Sequence, residues 1–418
     1  MTKQIRNDFD KVVEKLNLSK ENISLRKKNL EKFINLGFPN KKEEDWKFSD
    51  LNKIISNEIK ELQYFDDEIV NEKSKIISFD KFPSHITRNN LILLVNGCVK
   101  QINLDHEDNQ NIKIINSLEN KFIETNNPLI LLNNALIPDY LKIIVKQNYN
   151  FKRPLVLFNI SNKKISSTNI NQRVDIVMEK NSSMSILNLF EDYSENNFIN
   201  INHHFELNEG SILKSYKVDF KENSNIKYFY NNIDLEKNSI SENFILSAGS
   251  KFNKNEVICN LKNQFSSAFV NGIINLDKSK HHEIRSKINH LSENTKSYQL
   301  IKSVLKDNSK GIFQGKIYVD PIAQKTDGYQ LSKAILLDEG VEFSGKPELE
   351  IYADDVKCSH GSASGNLDED KIFYLMTRGL SYQEAKELLI EGFFIDVLEK
   401  ITDLEIKIII KEIMGFKS

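Results

Sequence analysis

Cysteine is scarce: Cys98, Cys259 and Cys358 are the only three in 418 residues, and no two form a C-x-x-C pair. That spacing excludes a disulfide framework and a self-contained four-cysteine metal site. Tryptophan occurs once, at Trp46, and proline seven times. A surplus of one charge is also missing, since 57 Lys and Arg face 59 Asp and Glu for a formal net charge of −2. A dedicated nucleic-acid binder needs a basic excess to neutralise phosphates, so no nucleic-acid partner is expected. No apolar run approaches the ~18 residues of a membrane-crossing helix. Residues 1–10 carry Lys3, Arg6, Asp8 and Asp10 where a secretory leader has its apolar stretch. The expectation is a soluble, cytoplasmic chain with no membrane partner.

Against these absences, 25 Phe and 13 Tyr within a 39% hydrophobic fraction suffice for a globular core. The length suggests two or three domains. In the first fifty residues Leu25, Leu30, Phe33, Ile34 and Leu36 recur at helical spacing, and Gly37 with Pro39 stops the run. A charged segment, 41–49, surrounds Trp46. Short apolar runs at 91–95, before an Asn96-Gly97 turn, and at 128–132 predict a mixed α/β stretch up to about residue 150.

The middle of the chain repeats one phrase: IVMEKNS at 176–182, FELNEGS at 205–211, IDLEKNS at 233–239, FILSAGS at 244–250 and ILLDEGV at 335–341. Each is a short strand followed by Gly or Asn, the residues that best tolerate left-handed backbone. Positions 181, 210 and 238 are 29 and 28 residues apart, whereas 238 and 249 are 11 apart. Mixing one side of a coil with a whole coil points to a stacked β-solenoid (parallel β-helix). An antiparallel β-sandwich with similar turns is the alternative. The chain therefore reads as mainly β with helical ends: a helical and mixed region over 1–148, a β-solenoid over 149–362 and a helical region over 363–418. In that last region Asn366 to Glu369, Ser381 to Glu384 and Thr402 to Glu405 match a capping-box outline, and Gly379 and Gly415 are placed as stops. Ala385, Leu388, Leu389, Phe393, Val397 and Leu398 form an apolar stripe that either packs on the solenoid or docks another protein.

Most apparent chemistry dissolves on inspection. Residues 340–347, GVEFSGKP, nearly match a phosphate-binding loop, but Pro347 stands where the magnesium-binding hydroxyl belongs and a strand follows instead of a helix. Neighbouring histidines on a strand face opposite ways, so neither His203-His204 nor His281-His282 chelates one ion; these, with His85, His106 and His290, read as surface or packing residues. Asp354-Asp355 is a weak carboxylate signal for the same reason. Cys358 and His360 differ: two residues apart, they share a face of an extended chain with Cα atoms ~6.6 Å apart. Thiolate and imidazole suit iron or zinc, and Lys357 with a protonated His360 would favour the thiolate. The plain reading is a small buried cysteine at the end of the last strand and a turn histidine.

Residues 346–379, KPELEIYADDVKCSHGSASGNLDEDKIFYLMTRG, closely resemble the C-terminal signature of the SufB/SufD family, and Glu44 to Ser49 resembles its tryptophan-containing segment near the N-terminus. Length, solenoid-like middle and helical tail fit from end to end. Cys358-Ser-His-Gly361 is the form of the SufD branch, where the SufB branch reads Glu-His-Glu around the same histidine. One departure is Ser362-Ala363-Ser364, where the family has Ala-Thr-Val. The resemblance implies a right-handed parallel β-helix in a non-catalytic scaffold for iron–sulfur cluster assembly. It implies a heterodimer with a SufB-like subunit through the last strands and a SufC-like ATPase on the C-terminal helices. Cys358 and His360 would then help ligate a transient iron–sulfur cluster at the joint, with no nucleotide on this chain and a homodimer possible in isolation. Two other readings stay open, a purely structural ATPase-docking subunit and a β-helix acting on polysaccharide.

Overall fold

A computed structural model describes residues 2–71, 90–118, 122 and 124–416. Two helices open it, α1 (Thr2–Leu16) and α2 (Lys20–Leu36). The second starts at Ser19, whose side chain accepts from the Asn22 backbone N–H, and ends at Gly37 with φ 75°. A 3-10 turn over Glu44–Trp46, α3 (Leu51–Glu58) and α4 (Asp67–Asn71) follow.

The strands then begin: β1 (Asn90–Val95), β2 (Cys98–Asn103), β3 (Ile112–Asn116) and β4 (Leu141–Val145), with α5 (His106–Gln110) and α6 (Pro128–Leu136) between them. The coils proper are β5 (Leu155–Ser161), β6 (Asn169–Met178), β7 (Ser183–Asp192), β8 (Phe198–Leu207), β9 (Ile212–Asp219), β10 (Ile226–Leu235) and β11 (Ile240–Ser247). They continue as β12 (Phe252–Leu261), β13 (Ser267–Leu276), β14 (His281–His290), β15 (Lys296–Leu305) and β16 (Lys310–Val319). The last are β17 (Thr326–Leu336), β18 (Glu342–Ile351) and β19 (Val356–Gly365).

Odd strands from β5 to β19 stack in one sheet and even strands from β4 to β18 in the other, each pairing in parallel with the strand one coil away. This is a parallel β-solenoid, so the antiparallel sandwich is set aside. Phe205, Ile233, Cys259, Ile288, Ile317 and Leu349 lie in register and stack one apolar column through the lumen. At the first end the antiparallel strands β2 and β3 close the two sheets. At the other end β18 and β19 have no further strand beside them among the described residues.

Both outer faces are largely covered. Helices α1 to α3, α6 and Trp46 pack on Phe198, Ile226, Tyr228 and Phe252 of the even sheet. The Glu44–Trp46 turn stitches this layer across four coils: the Lys254 ammonium donates to the Asp45 carbonyl at 2.8 Å, Arg285 pairs with the Asp45 carboxylate, Gln314 donates to the Glu44 carbonyl at 3.3 Å and Lys346 pairs with the Glu44 carboxylate. On the odd sheet, Phe394, Val397, Leu398, Ile401, Ile406, Ile409 and Ile410 pack against Leu187, Tyr216, Phe244 and Leu300.

The C-terminal helices are α7 (Glu369–Thr377), α8 (Tyr382–Leu398) and α9 (Leu404–Ile413). Ser381 and Glu384 make the full capping box. For the other two the expected caps shift: Asp368 rather than Asn366 caps α7, and Asp403 rather than Thr402 caps α9, because their carboxylates reach the free N–H groups of the first turn. Gly379 and Gly415 stop α7 and α9 with φ 95° and 73°. Of the apolar stripe, Ala385, Val397 and Leu398 are buried while Leu388 is exposed.

Asn181, Gly210 and Asn238 take the left-handed turn conformation. Gly249 and Gly340 do not; Gly249 is glycine for want of room, since a Cβ there would lie 2.3 Å from the Lys221 carbonyl oxygen.

Candidate functional site at the open end

The last rung carries the candidate residues Cys358 and His360. β19 pairs with β17 so that Cys358 lies beside Gly328, His360 beside Gln330 and Ser362 beside Ser332. These positions alternate, so all three residues face the lumen mouth. Ser332 and Ser362 are tied there by a 2.9 Å hydrogen bond. Cys358 is half-buried against Ile317, Val319, Ala323 and Ala353, and His360 is exposed at the rim. Cys98 and Cys259 are buried in the core, where burial pushes the Cys98 thiol up to about 12 and that of Cys259 higher still.

The thiol of Cys358 is raised above its ordinary value, chiefly by burial, with the Asp327 charge adding and a hydrogen bond with the Gly328 backbone opposing. The spacing predicts a thiolate favoured by Lys357 and His360; burial raises the thiol instead, and Lys357 projects from the opposite face of the strand. Among the described residues no group of three or more His, Cys, Asp or Glu is placed to hold an ion.

Gln330 was not singled out from the sequence. It is fully buried one coil below His360, its Nε2 donates to the Glu348 carbonyl at 3.2 Å, and its Oε1 has no partner. The 30-residue offset between Gln330 and His360 is the coil period, so extending the repeat to the end of the chain would have marked it.

The other candidates behave as packing. His203, His282 and His290 point into the lumen, His204 and His281 lie on the outer face with carboxylate partners, His106 is exposed, and His85 lies outside the described residues. Residues 342–347 of the loop-like segment run inside β18 as extended chain, without a helix N-terminus for a phosphate. Asp354 and Asp355 sit in the exposed turn between β18 and β19.

A second surface lies on the C-terminal helices. Phe373, Tyr374, Met376, Tyr382 and Leu388 are exposed on α7 and the start of α8, and Phe373 reaches 68%. Large exposed apolar patches are the kind of surface through which proteins contact partners. No helix among the described residues is long and apolar enough to cross a membrane.

Solenoid, open rung and helical ends define a class, and comparison with known proteins agrees with it. The family profile described as SUF system FeS cluster assembly, SufBD core domain, matches residues 158–393. The chain belongs to the SufBD family of the SUF system, which assembles iron–sulfur clusters. The iron–sulfur cluster assembly protein SufD of Escherichia coli K12 is 22% identical over 387 residues, 90% of this chain and 89% of that protein. A SufBD family protein of Synechocystis is 23% identical over 385 residues, covering 88% and 84%. The SufB protein of Bacillus subtilis is 27% identical over 158 residues, covering 38% and 34%.

Proposed function

We propose that the chain is a SufD-type, non-catalytic scaffold subunit that pairs with a SufB-like subunit and carries a SufC-like ATPase. The observation that carries this reading is Cys358 and His360 side by side on the terminal rung, whose unpaired edge invites a partner strand. In this reading Cys358 is thiolate ligand or sulfur acceptor, His360 is nitrogen ligand, and the cluster is cargo completed by ligands of the SufB-like chain. Likeness to a SufD along nearly the whole chain, against a SufB along about a third, supports the branch assignment. In isolation the same open edges would accept a second copy. No nucleotide site on this chain is required, since the ATPase brings its own.

The test is cluster formation in the reconstituted three-protein complex. Cys358→Ala and His360→Ala are each expected to lower cluster yield by about tenfold or more, the scale on which single ligand-shell changes act. Unchanged yield in both would leave the chain a purely structural docking subunit.

The α7–α8 patch is the proposed ATPase surface. Phe373→Asp and Leu388→Asp should each weaken ATPase binding by about 2 kcal/mol, ~30-fold in Kd. Melting of the isolated chain should be unchanged, because both side chains are solvent-exposed. Calorimetric titration reads the first and thermal unfolding the second; wild-type Kd in both variants removes the patch from the interface.

A further inference from the structure

Near the closed end, a void of about 20 Å³ lies among Leu94, Asn159, Ile170, Gln172, Phe190 and Ile201, with Asn96 and Asp192 also in its wall. Its apolar lining is broken by polar atoms that find no partner in the protein: Asn96 Nδ2, Asn159 Oδ1 and Gln172 Nε2. All three side chains are buried, Asn96 and Gln172 almost completely. The amide orientations of Asn96 and Asn159 are fixed by their other ends. Asn96 Oδ1 accepts from the Asn162 N–H at 2.9 Å, and Asn159 Nδ2 donates to the carbonyls of Leu157 at 3.1 Å and Leu189 at 3.2 Å. The Asn96 donor and the Asn159 acceptor therefore cannot be exchanged by flipping, and the Gln172 amide completes the polar lining.

Leaving each such group dry costs a full desolvation penalty. The volume exceeds the ~10–15 Å³ that one water needs. The inward Asn96 N–H donor repels a cation, and the Asp192 carboxylate in the same wall repels an anion. The neutral molecule that both accepts and donates at this size is water.

We infer that the solenoid binds one structural water here, accepting from Asn96 and Gln172 and donating to Asn159 and to Asp192. The water joins four chain segments, the β1–β2 turn, β5, β6 and β7. It is also the end link of a buried polar chain. Asp192 Oδ1 accepts from Ser161 at 2.8 Å and its Oδ2 pairs with Lys227 at 2.5 Å; Lys227 in turn pairs with Asp219 at 2.7 Å. Ser250 and Asn253 each donate to Asp219 at 2.6 Å. The closed end is thus held by a polar network as well as by its apolar column.

A crystal structure of the full chain at about 1.5 Å resolution tests this. The expected result is one solvent peak within hydrogen-bond distance of Asn96 Nδ2, Asn159 Oδ1 and Gln172 Nε2 (about 2.7–3.2 Å), and its loss in Asn159→Leu. An empty void in the wild type, side chains re-paired with protein groups, or a peak at the shorter distances of a metal ion would each overturn the inference. The wild-type map decides the matter even if the variant fails to fold.

Discussion

Lys227→Met is expected to lower stability by about 3–5 kcal/mol, the cost of removing one partner from a buried ion pair. Lys227 is fully buried between Asp192 and Asp219, at 2.5 and 2.7 Å. Burial by itself would lower the lysine; the two carboxylates outweigh it and hold the ammonium above its ordinary value. Burial likewise pushes Asp219 up, and Lys227 and Lys217 with their hydrogen-bonding neighbours bring it down to about 2. Removing the cation leaves Asp192 and Asp219 without the ammonium that pairs with both, and only Lys217 remains beside Asp219. Methionine fills similar volume, so the loss reports charge rather than a cavity. Adding Asp192→Asn and Asp219→Asn should recover much of the stability, since the uncompensated charge disappears. Urea unfolding of the isolated chain measures both; a loss under about 1 kcal/mol would show that water reaches the network.

Mild acid should have an effect of similar size by a different route. Burial holds His203 and His282 down to about 4 and His290 to about 3. Each folded value lies below the ~6.5 of an unfolded histidine, so below that pH the unfolded chain takes up protons that the folded chain refuses. The stabilisation is complete above pH 6.5 and is lost as pH falls towards the folded values. Three such groups give a slope of roughly 4 kcal/mol per pH unit once the unfolded histidines are mostly charged. Carboxylates that the fold holds down, such as Asp219, act only below about pH 4. From pH 6.5 to 5 the histidines dominate the fall, with buried Glu256 and Asp139, which burial raises, opposing it. Urea midpoints across it should fall steeply, and His290→Gln should remove about a third of the slope. A flat midpoint from pH 7 to 5 would mean that the three rings are protonated in the folded state.

The coil period, the Asn-Gly hairpin and the helix stops could all be read from spacing, because turns that need left-handed backbone accept few residues. Asn181, Gly210, Asn238, Gly379 and Gly415 bear this out. Cys358 and His360 could be placed on one face by their separation alone. What escaped was the inside. Sheets covered on both faces lose the alternation of apolar and polar residues that tells inward from outward. In β9, Lys214 and Lys217 look alike in sequence, yet Lys217 is buried in the lumen over the Phe229 ring. The same ambiguity hid Gln330, and nothing local announced that Glu44 would meet a lysine 302 residues later.

That last contact has a wider consequence. Solenoids grow and shrink by whole coils, and each coil adds ~4.8 Å to the stack. The Glu44–Trp46 segment bonds to β12, β14, β16 and β18 in turn, and its reach is set by covalent geometry. A duplicated coil would carry Lys346 out of range of Glu44, and a deleted one would bring it past. The N-terminal segment is thus a ruler laid along the stack, holding a repeat architecture to one length so that its final edge always falls at the same place.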